Sequence, residues 1–406
     1  MKKLALTATL MTLTLAACST QTLPEQQVQS QGITVQNWTA SVVNWNTVIK
    51  NNGNTVVLKG INWFGLDGSQ QMGGTWTSHV QNGVTKNHDL DFWFTKIKAL
   101  GFNAIRIPLS ADTIWQNHSG SNTMLNTVIQ KANQYDMYVV LGYQTCSPNY
   151  LGGNLVGDPS TCPDRTWNLS YWLSYMNRLA VVAKNNPNVV AIDLFNEPHK
   201  LSWATWKGYA EQAITEIEKV YSTLPGRSIM YFVEGTGGTP NWGADITPAA
   251  TPANRLFATQ NSNGTYSYQH FNKIVYSPHF YGKWVTATQA VNIVKTVVDS
   301  NNGNGVPVII GEFGMVPSAT ATGGTQWGAD FINGVKYKAS SYFYWALNAN
   351  EYDGPYGILR NEANGNSNWC IAESSIITTI RDNYSIVAGT PGLTISPSTP
   401  LNTVCY

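Results

Sequence analysis

Two glutamates stand where an ionisable side chain is costly. Ile192-Asp193-Leu194-Phe195-Asn196-Glu197-Pro198-His199 brings Glu197 just past an apolar run, and Val308-Ile309-Ile310-Gly311-Glu312-Phe313-Gly314 does the same for Glu312. A carboxylate beside four or five buried residues carries a large desolvation cost unless it is paired or hydrogen-bonded. Hydrolysis of a glycosidic bond needs two such carboxyls, one protonated to assist departure and one ionised to face the anomeric carbon. The alternative is a pair of buried salt bridges, each to an Arg or Lys inside the fold. Charge for that is scarce, since only 12% of the residues are Asp, Glu, Lys or Arg. Further chemistry-bearing side chains end apolar runs in the same manner: Arg106, Gln144, Asn196, Glu234, His279, Tyr281 and Trp345.

Eight short apolar or β-branched runs can position these residues. They are Thr55–Leu58 leading into Gly60-Ile61-Asn62, Asn103–Ile107, Met137–Leu141, Val189–Phe195, Ser228–Val233, Lys273–Ser277, Val306–Ile310 and Ser341–Trp345. Stretches of helical period lie between them, such as Asp89 to Leu100, Leu169 to Ala183 and Trp206 to Tyr221. Leu100-Gly101 and Asn186-Pro187 are stop signals placed before the following strands. Eight strand–helix units are the number that closes an α/β (β/α)₈ TIM barrel, in which all strand ends converge on one mouth. Strands four and seven then set Glu197 and Glu312 opposite each other. An open doubly wound sheet would gather its chemistry at one switch point and carry a Gly-rich phosphate turn, and no run here is followed by one. Ser41 to Val57 reads as an N-terminal hairpin around Asn52-Gly53-Asn54, placed to cap the barrel floor.

The ends of the chain have a different character. Met1-Lys2-Lys3, an apolar stretch from Leu4 to Ala16 and Leu15-Ala16-Ala17-Cys18 fit a signal peptide over residues 1–17. The last four resemble a bacterial lipobox, which implies a lipid on Cys18 and an exported lipoprotein anchored at the cell envelope or surface, or released from it. Residues 18–37, rich in Gln, Ser and Thr, read as a flexible tether. Residues 38–406 read as a single catalytic domain. Cys146, Cys162, Cys370 and Cys405 permit two disulfides in an exported protein, and the local pairing Cys146–Cys162 with Cys370–Cys405 is one of three. Net charge is +1 with no basic cluster, which leaves no case for a nucleic-acid partner.

Six segments, in chain order, resemble glycoside hydrolase family 5, a clan A barrel family with many cellulase-like endoglucanases. They are Leu58-Lys59-Gly60-Ile61-Asn62-Trp63-Phe64-Gly65, Leu100-Gly101-Phe102-Asn103-Ala104-Ile105-Arg106-Ile107-Pro108 and Asn196-Glu197-Pro198-His199. Tyr276-Ser277-Pro278-His279-Phe280-Tyr281, Gly311-Glu312-Phe313-Gly314 and Tyr344-Trp345-Ala346-Leu347-Asn348 follow. The resemblance implies that Glu197 is the acid/base, with Asn196 binding the 2-hydroxyl of the −1 sugar. It implies that Glu312 is the nucleophile of a retaining double displacement, with Arg106 beneath it and Tyr281 bonded to it. His279 would sit beside Glu197, and Trp345 would floor the −1 site. One position departs from the pattern, since Gln144 stands where the family usually has a histidine after strand three.

The chain also has 15 Trp and 20 Tyr among many Asn, Gly, Ser and Thr, a composition suited to neutral, hydroxyl-rich ligands. Trp63, Trp115, Trp203, Trp242 and Trp284 are candidate sugar platforms, with core packing as the alternative for each. Asp158 and Asp164 read as solvated loop charges rather than calcium ligands. The expectation is a monomeric endo-acting hydrolase of β-1,4-glucan. It would need no metal or cofactor, take a β-linked polysaccharide as partner, and touch a membrane only through lipid. A β-mannanase or other β-1,4-glycanase, or a non-catalytic polysaccharide-binding barrel, is the alternative.

Overall fold

The computed structural model describes residues 36–67, 78–81, 84–87, 89–116, 124–145, 168–237, 241–303, 305–348, 355–360, 371–372 and 374–384. All of these belong to one unit, Gly32–Tyr406. The expected signal segment, most of the tether, all five cysteines, Asp158 and Asp164 lie outside the described residues. Among the described residues, no helix is long and apolar enough to cross a membrane.

The barrel strands are Lys59–Asn62, Ala104–Ser110, Tyr138–Thr145, Val189–Asp193, Met230–Val233, a sixth split into Ile274–Tyr276 and His279–Tyr281, then Ile310–Gly314 and Tyr342–Tyr344. Each is parallel to its neighbours. The sheet runs from Ile274–Tyr276 at one end to His279–Tyr281 at the other, and these two pieces are consecutive in the chain. The sheet therefore closes on itself as a (β/α)₈ barrel, not an open doubly wound sheet. The break in strand six falls at Ser277-Pro278, where proline has no N–H to give the ladder.

The seventh strand lies later than the sequence pattern placed it, at Ile310–Gly314 rather than Val306–Ile310. Val308 makes only an isolated bridge to Tyr276, and the ladder to the eighth strand begins at Ile310. Pro307 weakens the early half, so regular pairing starts further along. Glu312 is consequently within its strand, whereas Glu197 lies four residues beyond Asp193, the end of the fourth.

Helices end where local chemistry supplies caps. Asp89 accepts from the Phe92 N–H at 2.9 Å, Ser202 from Thr205 at 3.1 Å, and Thr286 with Gln289 forms a capping box. Gly101, at φ +88°, takes the left-handed step after Leu100 that lets the chain leave its helix for strand two. Trp172, Met176, Leu179 and Ala183 on one helix, and Trp206, Ala210, Ala213 and Ile217 on the next, are buried in the layer between helices and strands.

A separate apolar cluster fills the barrel's interior and floor: Ala104, Val140, Ala191, Met230, Phe232, Val275, Ile309 and Phe343, with Trp38, Ala40 and Ile49. The last three come from an antiparallel three-stranded sheet, Trp38–Val43, Asn46–Asn51 and Asn54–Val56, which extends the expected hairpin by one strand. Its turns at Asn44-Trp45 and Asn52-Gly53 have positive φ at both central residues, the geometry that matches the twist of the flanking strands.

A Cβ at Gly60 would come within 2.1 Å of the Phe343 ring, so the bare backbone there makes room for a bulky interior ring. Gly60→Ala is expected to lower unfolding free energy by about 2–3 kcal/mol through overpacking. Urea denaturation of Gly60→Ala and of Gly60→Ala/Phe343→Leu would check it, the second change recovering part of the loss because the two residues touch.

Candidate active site

Directly above the apolar interior, the barrel turns polar. Register sets Asn62 beside Arg106 and His279 beside Glu312. The Arg106 guanidinium is fully buried and lies at the hub. Its Nε donates to Asp193 Oδ2 at 2.7 Å, and its Nη1 to Glu312 Oε1 at 2.7 Å and Asn62 Oδ1 at 2.9 Å. Its Nη2 donates to Asn196 Oδ1 at 3.2 Å and Glu234 Oε1 at 3.3 Å. Gly142 has no side chain on the neighbouring third strand. A Cβ there would lie 3.4 Å from Nη2, so the small residue leaves the guanidinium its space.

The two glutamates singled out by sequence come together at this layer. Glu312 Oε2 accepts from the Tyr281 hydroxyl at 2.6 Å, so each of its oxygens has a donor. Among the described residues no arginine hydrogen-bonds Glu197: His279 Nδ1 lies 3.2 Å from its Oε1, and its side chain remains 19% exposed at the mouth. One carboxyl oxygen from each glutamate and a His279 nitrogen lie within 4.8 Å of one another. Trios of this kind can hold a cation, but here Arg106 already supplies the compensating positive charge.

The environments of these groups push their protons in a consistent direction. Burial pushes the Glu197 carboxyl up, with His279 opposing and Glu312 reinforcing the shift. Burial raises Glu234 to about 8, and raises Asp193 against the pull of Arg106. Burial alone would lower His279, but Glu234, Glu312 and the bond to Glu197 carry it well above its ordinary value. Tyr281 is raised by burial and then by Glu312, so it keeps its proton and donates.

Other expected site residues fall into two groups. Trp345, partly buried, stacks on Phe64 with centroids 5.5 Å apart and planes at 15°. Trp242 stacks on His199 at 4.0 Å and 8°, and its neighbour Gly243 packs against Glu197 and Glu234. Gln144 is partly buried at the end of strand three, and its Oε1 has no hydrogen-bond partner among the described residues. Trp284 is 46% exposed beyond Tyr281, with Lys283 Nζ 4.4 Å from its ring centre. The side chain of Trp115 is outside the described residues.

Two platform expectations need correction. Trp63 is 2% exposed and packs against Trp93 and Phe94, because alternation along the chain turns it away from Asn62 and into the helix layer. Trp203 opens a helix, packs near Tyr276 and bonds the Asn254 carbonyl, so it braces the barrel's outer wall.

Sequence reasoning passed over Asp193 and Asn62 and left Glu234 without a role. Their signal was present as polar residues in step with inward-facing positions, Asn62 after Gly60 and Asp193 after Ala191.

The chain matches the family model "Cellulase (glycosyl hydrolase family 5)" over residues 49–351. It is 26% identical over 344 residues to an endoglucanase of Paenibacillus polymyxa, covering 76% of this chain and 79% of that one. It is 26% identical over 398 residues to the major extracellular endoglucanase of Xanthomonas campestris pv. campestris, covering 86% and 72%. In fold it is similar to the endocellulase of Pyrococcus horikoshii crystallised with cellotetraose. The TM-score is 0.62 at 19% identity, over 86% of this chain and 99% of that one.

Glu197, Asp193, Glu234 and His279 all hold protons more tightly folded than unfolded, so the native chain binds more protons and stability falls as pH rises. The loss starts above the ordinary carboxyl values of 3.8 for Asp193 and 4.5 for the glutamates and runs through about 8, the folded value of Glu234. Unfolding free energy is expected to be roughly 2–4 kcal/mol lower at pH 8 than at pH 5, measured by urea titration across that range.

Proposed function

The chain, matching over residues 49–351, belongs to glycosyl hydrolase family 5, and we propose that it cleaves internal β-1,4 bonds of a glucan with retention of anomeric configuration. The observation that carries this reading is the Glu197–Glu312 spacing, with one carboxyl oxygen of each within 4.8 Å of the other. Carboxyls about 5–5.5 Å apart suit direct attack by one of them, whereas inverting enzymes keep about 6.5–9.5 Å to seat a water. Relatives named as endoglucanases support glucan as the backbone.

Glu197, kept protonated by burial, gives its proton to the departing glycosidic oxygen while Glu312 attacks the anomeric carbon. The product is a glycosyl ester on Glu312. Glu197, now a carboxylate, takes a proton from water. The water oxygen attacks the same carbon and Glu312 departs, restoring both groups. Arg106 and Tyr281 stabilise negative charge on Glu312 before attack and after release. Arg106 has donors only, so the oxygen of Asn196 must face it, which turns the amide N–H groups toward a sugar hydroxyl. Trp345 on Phe64 offers a flat face beneath the reacting sugar, and Trp242 on His199 offers one on the acid/base side.

A relative named as a mannan endo-1,4-beta-mannosidase of Streptomyces lividans, 23% identical over 273 residues, favours one second reading, a β-mannan backbone. Reducing-end release on carboxymethyl cellulose, mixed-linkage glucan, mannan, xylan and xyloglucan decides between them, with glucans expected to be cleaved fastest.

Glu197→Gln is expected to lower kcat/KM on such polymers by about 10²–10⁴-fold, and Glu312→Gln by about 10⁴-fold or more. Both should leave folding and oligosaccharide binding intact. A 2-fluoro glycoside should label Glu312 stoichiometrically, as read by peptide mass. Turnover at the ordinary rate in either variant would sink the mechanism.

The lipobox-like Leu15-Ala16-Ala17-Cys18 supports membrane attachment through a lipid on Cys18. Cys18→Ser is expected to abolish incorporation of labelled palmitate and to move the enzyme from the membrane fraction, detected by fractionation.

A further inference from the structure

Glu234 is fully buried beneath the mouth and has no place in the two displacement steps. Its Oε2 accepts from the backbone N–H of Glu197 at 2.6 Å. That backbone sits at φ +51°, a left-handed conformation that side-chain-bearing residues seldom hold without support. Its Oε1 lies 3.0 Å from His279 Nε2, an ion-pair contact outside hydrogen-bond alignment, and the other nitrogen of the same ring meets the Glu197 carboxyl. One carboxyl thus reaches Glu197 by two routes, through its main chain and through the imidazole.

The surroundings hold Glu234 in place. Its carbonyl accepts from Trp206 Nε1 at 2.9 Å. Gly243, at φ +71°, lies so close that a Cβ would stand 2.7 Å from Glu234 Oε2 and 3.2 Å from Glu197 Cγ. The loop bearing Gly243 is pinned by paired bonds between Thr236 and Asp245.

We propose that Glu234 is a positioning residue, whose carboxyl fixes the left-handed turn at Glu197 and the His279 ring together and thereby presents the acid/base in one pose. This rests on the acid/base reading of Glu197. It also fixes the direction of a pH effect. Glu234 raises the proton affinity of His279, and the His279 charge lowers that of Glu197. With no ionisable group at 234 the first influence, which grows as Glu234 loses its proton near pH 8, is absent, hence the second is weaker, and Glu197 keeps its proton to higher pH.

The test compares kcat/KM for an aryl cellobioside with a good leaving group, which departs unassisted, and one with a poor leaving group, which needs the acid. Glu234→Gln is expected to lose about 10- to 100-fold on the poor leaving group and less than about threefold on the good one. Its basic limb should move up by about half a pH unit or more. Glu234→Asp, which keeps an ionisable carboxyl but withdraws it by one methylene, should show the leaving-group effect with little movement of the limb. Fluoroglycoside trapping at Glu312 reports the fraction of correctly folded sites, so rates are taken per trapped site. Equal losses on both substrates with an unmoved limb, or no loss at all, would overturn the proposal. Glu197→Ala run alongside separates the two readings. If it lacks leaving-group dependence, the acid/base assignment fails; if only the Glu234 variants lack it, the positioning role fails.

Discussion

A guanidinium with every donor direction engaged, deep in a closed barrel, organises this molecule. Arg106 meets Asp193, Glu312, Glu234, Asn196 and Asn62 with no exposure to water. Taking such a charge out of water costs several kcal/mol, and the attraction of its partners offsets this only when geometry and hydrogen bonding are both good. The rigid planar fork of arginine supplies that geometry; the flexible ammonium of lysine does not. Gly142, Asn62 and the closure of the sheet are all needed to shape the space it occupies. The hub is therefore a condition on the fold as much as a part of the site.

Beneath this hub the barrel is apolar, and the floor sheet places Trp38 and Ile49 in the same cluster as the strand interiors. Low polarity below sharpens every charge above. It also lets two chemically identical side chains differ. Glu312 receives a donor on each oxygen, while Glu197 receives an imidazole, a dry wall and a partial opening to solvent. Divergence between two carboxyls in one cleft is what allows one to act as acid while the other attacks.

Much of this was legible in the chain. The eight apolar runs, the terminators at Gly101 and Pro187, and residues placed at strand ends were sufficient for the barrel and for the Glu197–Glu312 pair. Strand seven was misplaced by several residues because Val306–Ile310 is as apolar as a strand can be, and only the missing N–H of Pro307 betrays its irregular pairing. Trp63 was misread because strand-end position alone does not tell inward from outward; parity with Gly60 and Asn62 does. Asp193 and Glu234 were undervalued for a different reason. Their importance lies in contacts across the barrel, to residues 87 and 128 positions away, and no local pattern reports such distances.

The left-handed turn at Glu197 has one further consequence, for how this enzyme can be improved. At φ +51° glycine would sit more comfortably than any side chain by about 1 kcal/mol or more, and a neutral residue would also escape the cost of burial. The same position bears the proposed acid/base. Selection for heat resistance and selection for speed therefore pull in opposite directions at this residue. Gains in robustness have to be found elsewhere on the scaffold, leaving this small reserve of tension untouched.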